Sequence, residues 1–80
     1  MSNKQDLSKV RLTSLDGEIT PQGMQICIAF ARAVKAGNML RQQVLVSIVK
    51  NRYRQPSFLP MFNEIRNDRR LCDDYAGGGQ

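Results

Sequence analysis

Eighty residues with 41% hydrophobic content and a net charge of +5 make at most one small domain, and the apolar content excludes a wholly disordered chain. There is no histidine and there are only two cysteines, Cys27 and Cys72, which excludes a disulfide scaffold, a four-ligand zinc site and histidine-based acid–base chemistry. The longest apolar run falls far short of the ~20 residues that span a bilayer, and the N-terminus MSNKQDLSKV lacks the apolar core of a secretory signal, so a cytoplasmic protein is expected.

Residues 1–9 are polar apart from the methionine and Leu7 and are expected to be mobile. From Val10 to Ile19 the apolar positions are Val10, Leu12, Leu15 and Ile19, split by the turn-forming pair Asp16-Gly17. The arms on either side are short and alternate imperfectly. The expectation is an ordered loop that lays its apolar residues on the helices, with a tiny hairpin as the alternative.

The stretch Thr20–Gly37 carries helix punctuation at both ends. Thr20 can cap with its hydroxyl, Pro21 suits the first helical position, and Gly37 can close the helix in the left-handed region. At ~100° per residue, Met24, Ile26, Cys27, Ile28, Phe30, Ala31 and Val34 sweep more than half of the circumference. A helix this apolar is packed on more than one side. A central helix over 21–36 follows. Both cysteines fall on apolar stripes, where a thiol acts as a small hydrophobe.

Only Gly37 and Asn38 separate this helix from the next, expected over 39–54 with Asn38 as its cap. Leu40, Val44 and Ile48 form one apolar stripe, and Leu45, Val49 and Tyr53 form the next, with Val46 beside them. The fragment VLVSIV would also suit a buried strand, but a pattern of about four turns favours helix. Pro56 ends it. A third helix is expected over 58–73, capped by Ser57, with Pro60 in its first turn. Its stripe is Phe58, Met61, Phe62, Ile65 and Cys72, with Leu71 and Tyr75 beside its end. Arg69–Asp73 and Arg70–Asp74 are spaced to pair. The tail Ala76–Gln80, with three glycines, should be flexible. The expected fold is therefore all-α: a small three-helix bundle in one domain over 10–75, with an irregular N-terminal arm and a flexible Gly-rich C-terminal tail.

Charge is unevenly laid out. No acid lies between Glu18 and Glu64, while Arg32, Lys35, Arg41, Lys50, Arg52 and Arg54 all do. An uncompensated positive middle attracts polyanions. Gln43, Ser47, Lys50 and Arg54 share a stripe of the second helix; Arg66 and Arg70 lie a turn apart on the third, beside Asn63 and Asn67. Cations suit phosphates, and amides and hydroxyls suit phosphates or base edges. Phe30, Phe58 and Phe62 are wanted by the core, which leaves only Tyr53 and Tyr75 for stacking on single strands. Duplex DNA or a structured RNA backbone is the better fit. The joint at Ala36-Gly37-Asn38, with Ala33 four residues before the glycine, has some features of a helix-turn-helix. Against that motif, Gln43 stands at an inward position and Asn38 where an apolar residue is usual, so an ordinary antiparallel helix hairpin is favoured.

The expected function is a non-enzymatic regulator that binds nucleic acid through Gln43, Lys50, Arg52, Arg54, Arg66 and Arg70. The alternative is a small adaptor or inhibitor, of phage or mobile-element type, whose arginines meet an acidic patch on a larger protein. A plain solvated face would carry the same residues. No cofactor, metal, membrane partner or catalytic constellation is expected, since histidine is absent, the acids cluster in turn-like or terminal surroundings, and no glycine-rich phosphate loop follows a strand. Self-association is expected through Met24, Ile28 and Lys35, helped by Val46 and Tyr53, as a two-fold homodimer interface.

Overall fold

The computed structural model describes residue 7 and residues 9–78; within them the chain is all-α. Helix α1 spans Pro21–Ala36, α2 Met39–Ser47, α3 Leu59–Asn67 and α4 Arg69–Gly78. A π-helical turn, Ile48–Arg52, prolongs α2, and a 3-10 turn, Pro56–Phe58, leads into α3. Four helices replace the expected three.

Helix α1 is the centre, because α2, α3 and α4 all pack on it. Its ends form as the sequence requires. The Thr20 hydroxyl accepts from the Gly23 amide at 3.1 Å, and Pro21 occupies the first turn. Gly37 takes φ 70°, so its amide reaches the Val34 carbonyl and the Asn38 amide the Ala33 carbonyl, a Schellman closure. Asn38 then caps α2 by accepting from the Arg41 amide at 3.0 Å. Inward from α1 come Ile26, Cys27, Phe30 and Ala31, all buried. Phe30 stacks on Phe62 of α3 with ring centroids 4.0 Å apart, and Phe58 meets Phe62 edge-on at 6.0 Å. Each fully buried phenylalanine contributes ~2 kcal/mol through the area it removes from water.

The segment before α1 is an ordered loop, with one antiparallel bridge between Thr13 and Ile19. Leu12 is fully buried, while Val10 and Ile19 pack against the core. Leu15, expected to lie on the bundle, is instead 88% exposed at the tip of the Asp16-Gly17 turn. The loop is fastened by side-chain amide and hydroxyl groups. Gln55 donates to the Val10 carbonyl at 2.6 Å and accepts from the Leu12 amide at 3.0 Å. Thr20 donates its hydroxyl to the Arg11 carbonyl at 2.6 Å. The backbone here runs so close to α1 that a Cβ on Gly23 would overlap the Leu12 carbonyl oxygen. Of residues 1–9, Leu7 packs against the core and Lys9 is exposed. The expected mobility of the others lies outside the described residues.

Helix α2 departs from expectation in two ways. Its inward stripe is Leu45, Val49 and Tyr53, all buried, whereas Leu40 and Val44 face outward at 72% and 42% exposure. The regular α-helix also stops at Ser47 rather than running to 54. Beyond it the Tyr53 amide reaches the Ile48 carbonyl, five residues back, at 3.0 Å. A four-residue repeat overshoots an α-turn by ~40° and undershoots a π-turn. Mixing the two turns keeps Leu45, Val49 and Tyr53 on one side. Arg54 follows with φ 57°, a left-handed conformation that costs a non-glycine residue about 1 kcal/mol. It turns the chain so that Gln55 meets the loop.

The expected helix 58–73 is broken at Asp68, whose backbone is extended (φ −114°, ψ 104°). The Asp68 carboxylate accepts from the Arg70 amide at 3.1 Å and the Leu71 amide at 3.3 Å, capping α4. Ile65 and Cys72 are seven residues apart, close to two turns, so their stripe stays in phase across a one-residue break. Ser57, the expected cap, makes no capping bond; the 3-10 turn opens α3 instead, with Pro60 in the first turn. Helix α4 runs through Ala76, Gly77 and Gly78, which were expected to be flexible tail; residues 79–80 lie outside the described part. Asp73 pairs with Lys35 of α1 at 2.9 Å rather than with Arg69. Arg32 donates to the Ala76 carbonyl at 3.3 Å, a cation near the C-terminal end of a helix.

Both cysteines are buried. Burial pushes the Cys27 thiol up to about 11, against a smaller downward pull from its hydrogen-bond partner Tyr75. Cys72 is raised by burial and by the nearby Asp73 carboxylate, and its thiol donates to the Ala31 carbonyl at 3.5 Å. No described helix is long and apolar enough to cross a membrane.

Candidate functional site

A groove of about 410 Å³ runs between α2 with its π-turn and α3. Gln43, Ser47 and Lys50 come from one wall, as the α2 stripe predicts, and Arg66 comes from α3 on the other. Met39, Gln42, Val46 and Asn51 complete the lining. No carboxylate is among these residues, so neither cation has an acid within the groove to neutralise it.

Arg66 is held in place by the core beneath it. Its guanidinium carbon lies 5.7 Å from the centroid of the Phe30 ring, a cation–π contact worth about 0.5–1 kcal/mol at an exposed position. Phe62 is one turn before Arg66 and stacks on Phe30. The column Phe58–Phe62–Phe30 thus ends under the charged wall of the groove. On the α2 side, Asn51 donates its amide to the Ser47 hydroxyl at 3.0 Å, fixing both across the start of the π-turn.

Gln42 is the residue that sequence reasoning missed. It is only 4% exposed, one position before the outward Gln43 and three before the core residue Leu45. A glutamine buried on an apolar face costs free energy unless its amide is bonded. Among the described residues its side chain makes no hydrogen bond, yet no fully enclosed side-chain polar atom lacks a partner. Gln42 is also part of the groove lining. The polar interruption of the Leu45–Val49–Tyr53 stripe was the available signal.

The structure gathers Gln43, Lys50 and Arg66 from the six residues expected to meet nucleic acid and leaves the other three elsewhere. Arg52 and Arg54 are exposed but do not line the groove; Arg54 leaves the Gln43–Ser47–Lys50 stripe because the helix has ended. Arg70 is separated from Arg66 by the break at Asp68, so the two do not share a helical face. The expected dimer edge is also dispersed. Tyr53 is buried, and its hydroxyl accepts from the Gln22 amide at 2.8 Å, so it offers no surface. Val46 lines the groove, and Lys35 is paired with Asp73. Met24 at 38% exposure and the partly buried Ile28 remain at the surface of α1. The two-helix unit at Gly37 joins a central helix to one whose outer face is open, with Gln42 rather than Gln43 inward.

Among the described residues no three cysteine or carboxylate side chains come together as a metal site. No protein-family model, curated protein or solved structure matches this chain.

Proposed function

We propose that this protein binds nucleic acid without catalysis, using the α2–α3 groove and its rims as the contact surface. The carrying observation is the convergence of Lys50 and Arg66 on one carboxylate-free groove, flanked by the amide of Gln43. Two cations facing each other across amide-lined walls suit phosphates on either side of a strand. The acid-free stretch between Glu18 and Glu64 lets the surrounding field add to this local attraction. Arg41, Arg52 and Arg54 lie outside the groove and add steering charge.

Binding of a labelled duplex followed by fluorescence anisotropy tests this reading. Affinity should fall steeply between ~50 and ~200 mM salt, because each neutralised phosphate releases counterions. Lys50→Ala and Arg66→Ala should each flatten the log–log slope by roughly 0.9, while Arg32→Ala, on the α4 side of α1, should leave it unchanged. Absence of binding at ~50 mM salt, or binding indifferent to salt, would refute it.

One observation favours a second reading. Met39, Leu40 and Val44 are 61%, 72% and 42% exposed along α2, with Arg41 among them. An apolar stripe edged by an arginine suits a protein that presents apolar side chains ringed by acids. In that case Leu40→Ser would abolish association with the partner while nucleic-acid affinity stayed as it was.

A further inference from the structure

Resting on the nucleic-acid reading, we propose that the α2–α3 groove is a subsite for one unpaired base, whose edge meets the Gln42 amide while Lys50 and Arg66 hold the phosphates beside it. Three features converge on this assignment. Gln42 is nine-tenths and more buried, carries no side-chain hydrogen bond among the described residues, and lines the groove. Its amide offers one acceptor and two donors, which is the complement of an adenine edge. Met39 and Val46 supply apolar walls for the faces of a ring, and about 410 Å³ lies within the range of small-molecule sites.

The recessed position of Gln42 decides between paired and unpaired nucleic acid. A side chain projecting from an exposed helix can reach into a major groove, but one at the floor of a protein groove cannot reach the edge of a base held inside a duplex. The base must leave its stack to meet the amide, as bulged or looped nucleotides do at little cost. Ser47 and Asn51, already bonded to each other, keep the π-turn wall fixed as the base enters. A carboxylate side chain of an acidic peptide would satisfy Lys50 and Arg66 equally well. It accepts hydrogen bonds but donates none, and so leaves the acceptor of the Gln42 amide unused.

The test uses the full chain and three labelled DNA hairpins: fully paired, with one bulged adenine, and with the bulged position abasic. Wild type should bind the bulged adenine roughly tenfold or more tighter than the other two. Gln42→Met should lose that preference while its binding to the paired hairpin remains salt-dependent. In wild type alone, the side-chain amide signals of Gln42 in a nitrogen–proton correlation spectrum should move with the bulged adenine and stay still with the abasic hairpin; this readout holds even if Gln42→Met folds poorly. Salt-dependent binding with equal affinity for bulged and abasic hairpins would overturn the subsite and leave the nucleic-acid reading standing. Absence of binding to all three would overturn both. Movement of the Gln42 amide with polyglutamate but not with the bulged hairpin would overturn the subsite in favour of an acidic peptide.

Discussion

Helices α1 and α2 are joined by two residues and packed against each other, yet their side chains answer to different demands. Along α1 the residues are matched to neighbours: small Gly23, Ala31 and Ala33 where backbones or helices approach, large Ile26 and Phe30 where the core must be filled. Along α2 the assignments look inverted, with Leu40 and Val44 in water and Gln42 inside. Packing alone would exchange these. The contrast teaches that the fold accounts for the residue choices along α1 and does not by itself account for those on the outer and groove-facing parts of α2.

The strongest way to break this contrast is Gly23→Ala. Helix propensity alone would make the alanine more stable by up to ~1 kcal/mol. The Leu12 carbonyl leaves no room for a Cβ, so a net loss of about 3 kcal/mol is expected in urea denaturation. A gain would show that the loop yields easily and that α1 is not so tightly matched. On α2, Leu40→Ser and Val44→Ser should each change stability by no more than ~0.5 kcal/mol. A loss near that of Gly23→Ala would mean that these leucine and valine side chains are structural after all.

The smallest effect sharpens the comparison at the far end of α1. The Lys35 ammonium, bonded to Asp73, holds that carboxyl below its ordinary value of 3.8. A carboxyl whose folded value is depressed favours folding fully above its unfolded value. That contribution disappears as pH falls through the depressed folded value. Wild type should therefore exceed Lys35→Met slightly in stability at pH 6 and converge with it in strong acid, the gap closing below pH 3.8. Both partners are half-exposed, so solvent screening keeps the gap small. Parallel acid-unfolding curves that never converge would assign the difference to packing of the lysine stem.

What could be read from the chain beforehand was chemistry confined to a few neighbouring residues. Thr20, Gly37 and Asn38 act on amides and carbonyls three to five positions away, and the structure uses each as the local rules demand. Choices among equals were not legible. The stripes Leu40–Val44–Ile48 and Leu45–Val49–Tyr53 are similarly apolar, and only contact with α1 selects the second. The break at Asp68 was hidden because Ile65 and Cys72 stay in phase across it, although an aspartate followed by a new run of helix formers was a usable cap signal. The candidate site fared likewise. Gln43 and Lys50 share a local stripe that survives, whereas Arg54 and Arg70 were tied to Lys50 and Arg66 by helical continuity that the chain does not keep. Gln55 acts through tertiary neighbours 43 and 45 residues away, which no local pattern announces.

The Gln55 clamp sets an order for biosynthesis. Its two bonds span 45 and 43 residues, to Val10 and Leu12. During translation the loop leaves the ribosome first, and at ~5–20 residues per second its fastener follows only seconds later. Until then the Val10 carbonyl and the Leu12 amide lack their native partner, and the loop is held to the start of α1 by the bonds from Thr20 to the Arg11 and Leu12 carbonyls. The loop that buries the start of the central helix is thus made first and fully secured late, after the left-handed turn at Arg54 has delivered Gln55 to it.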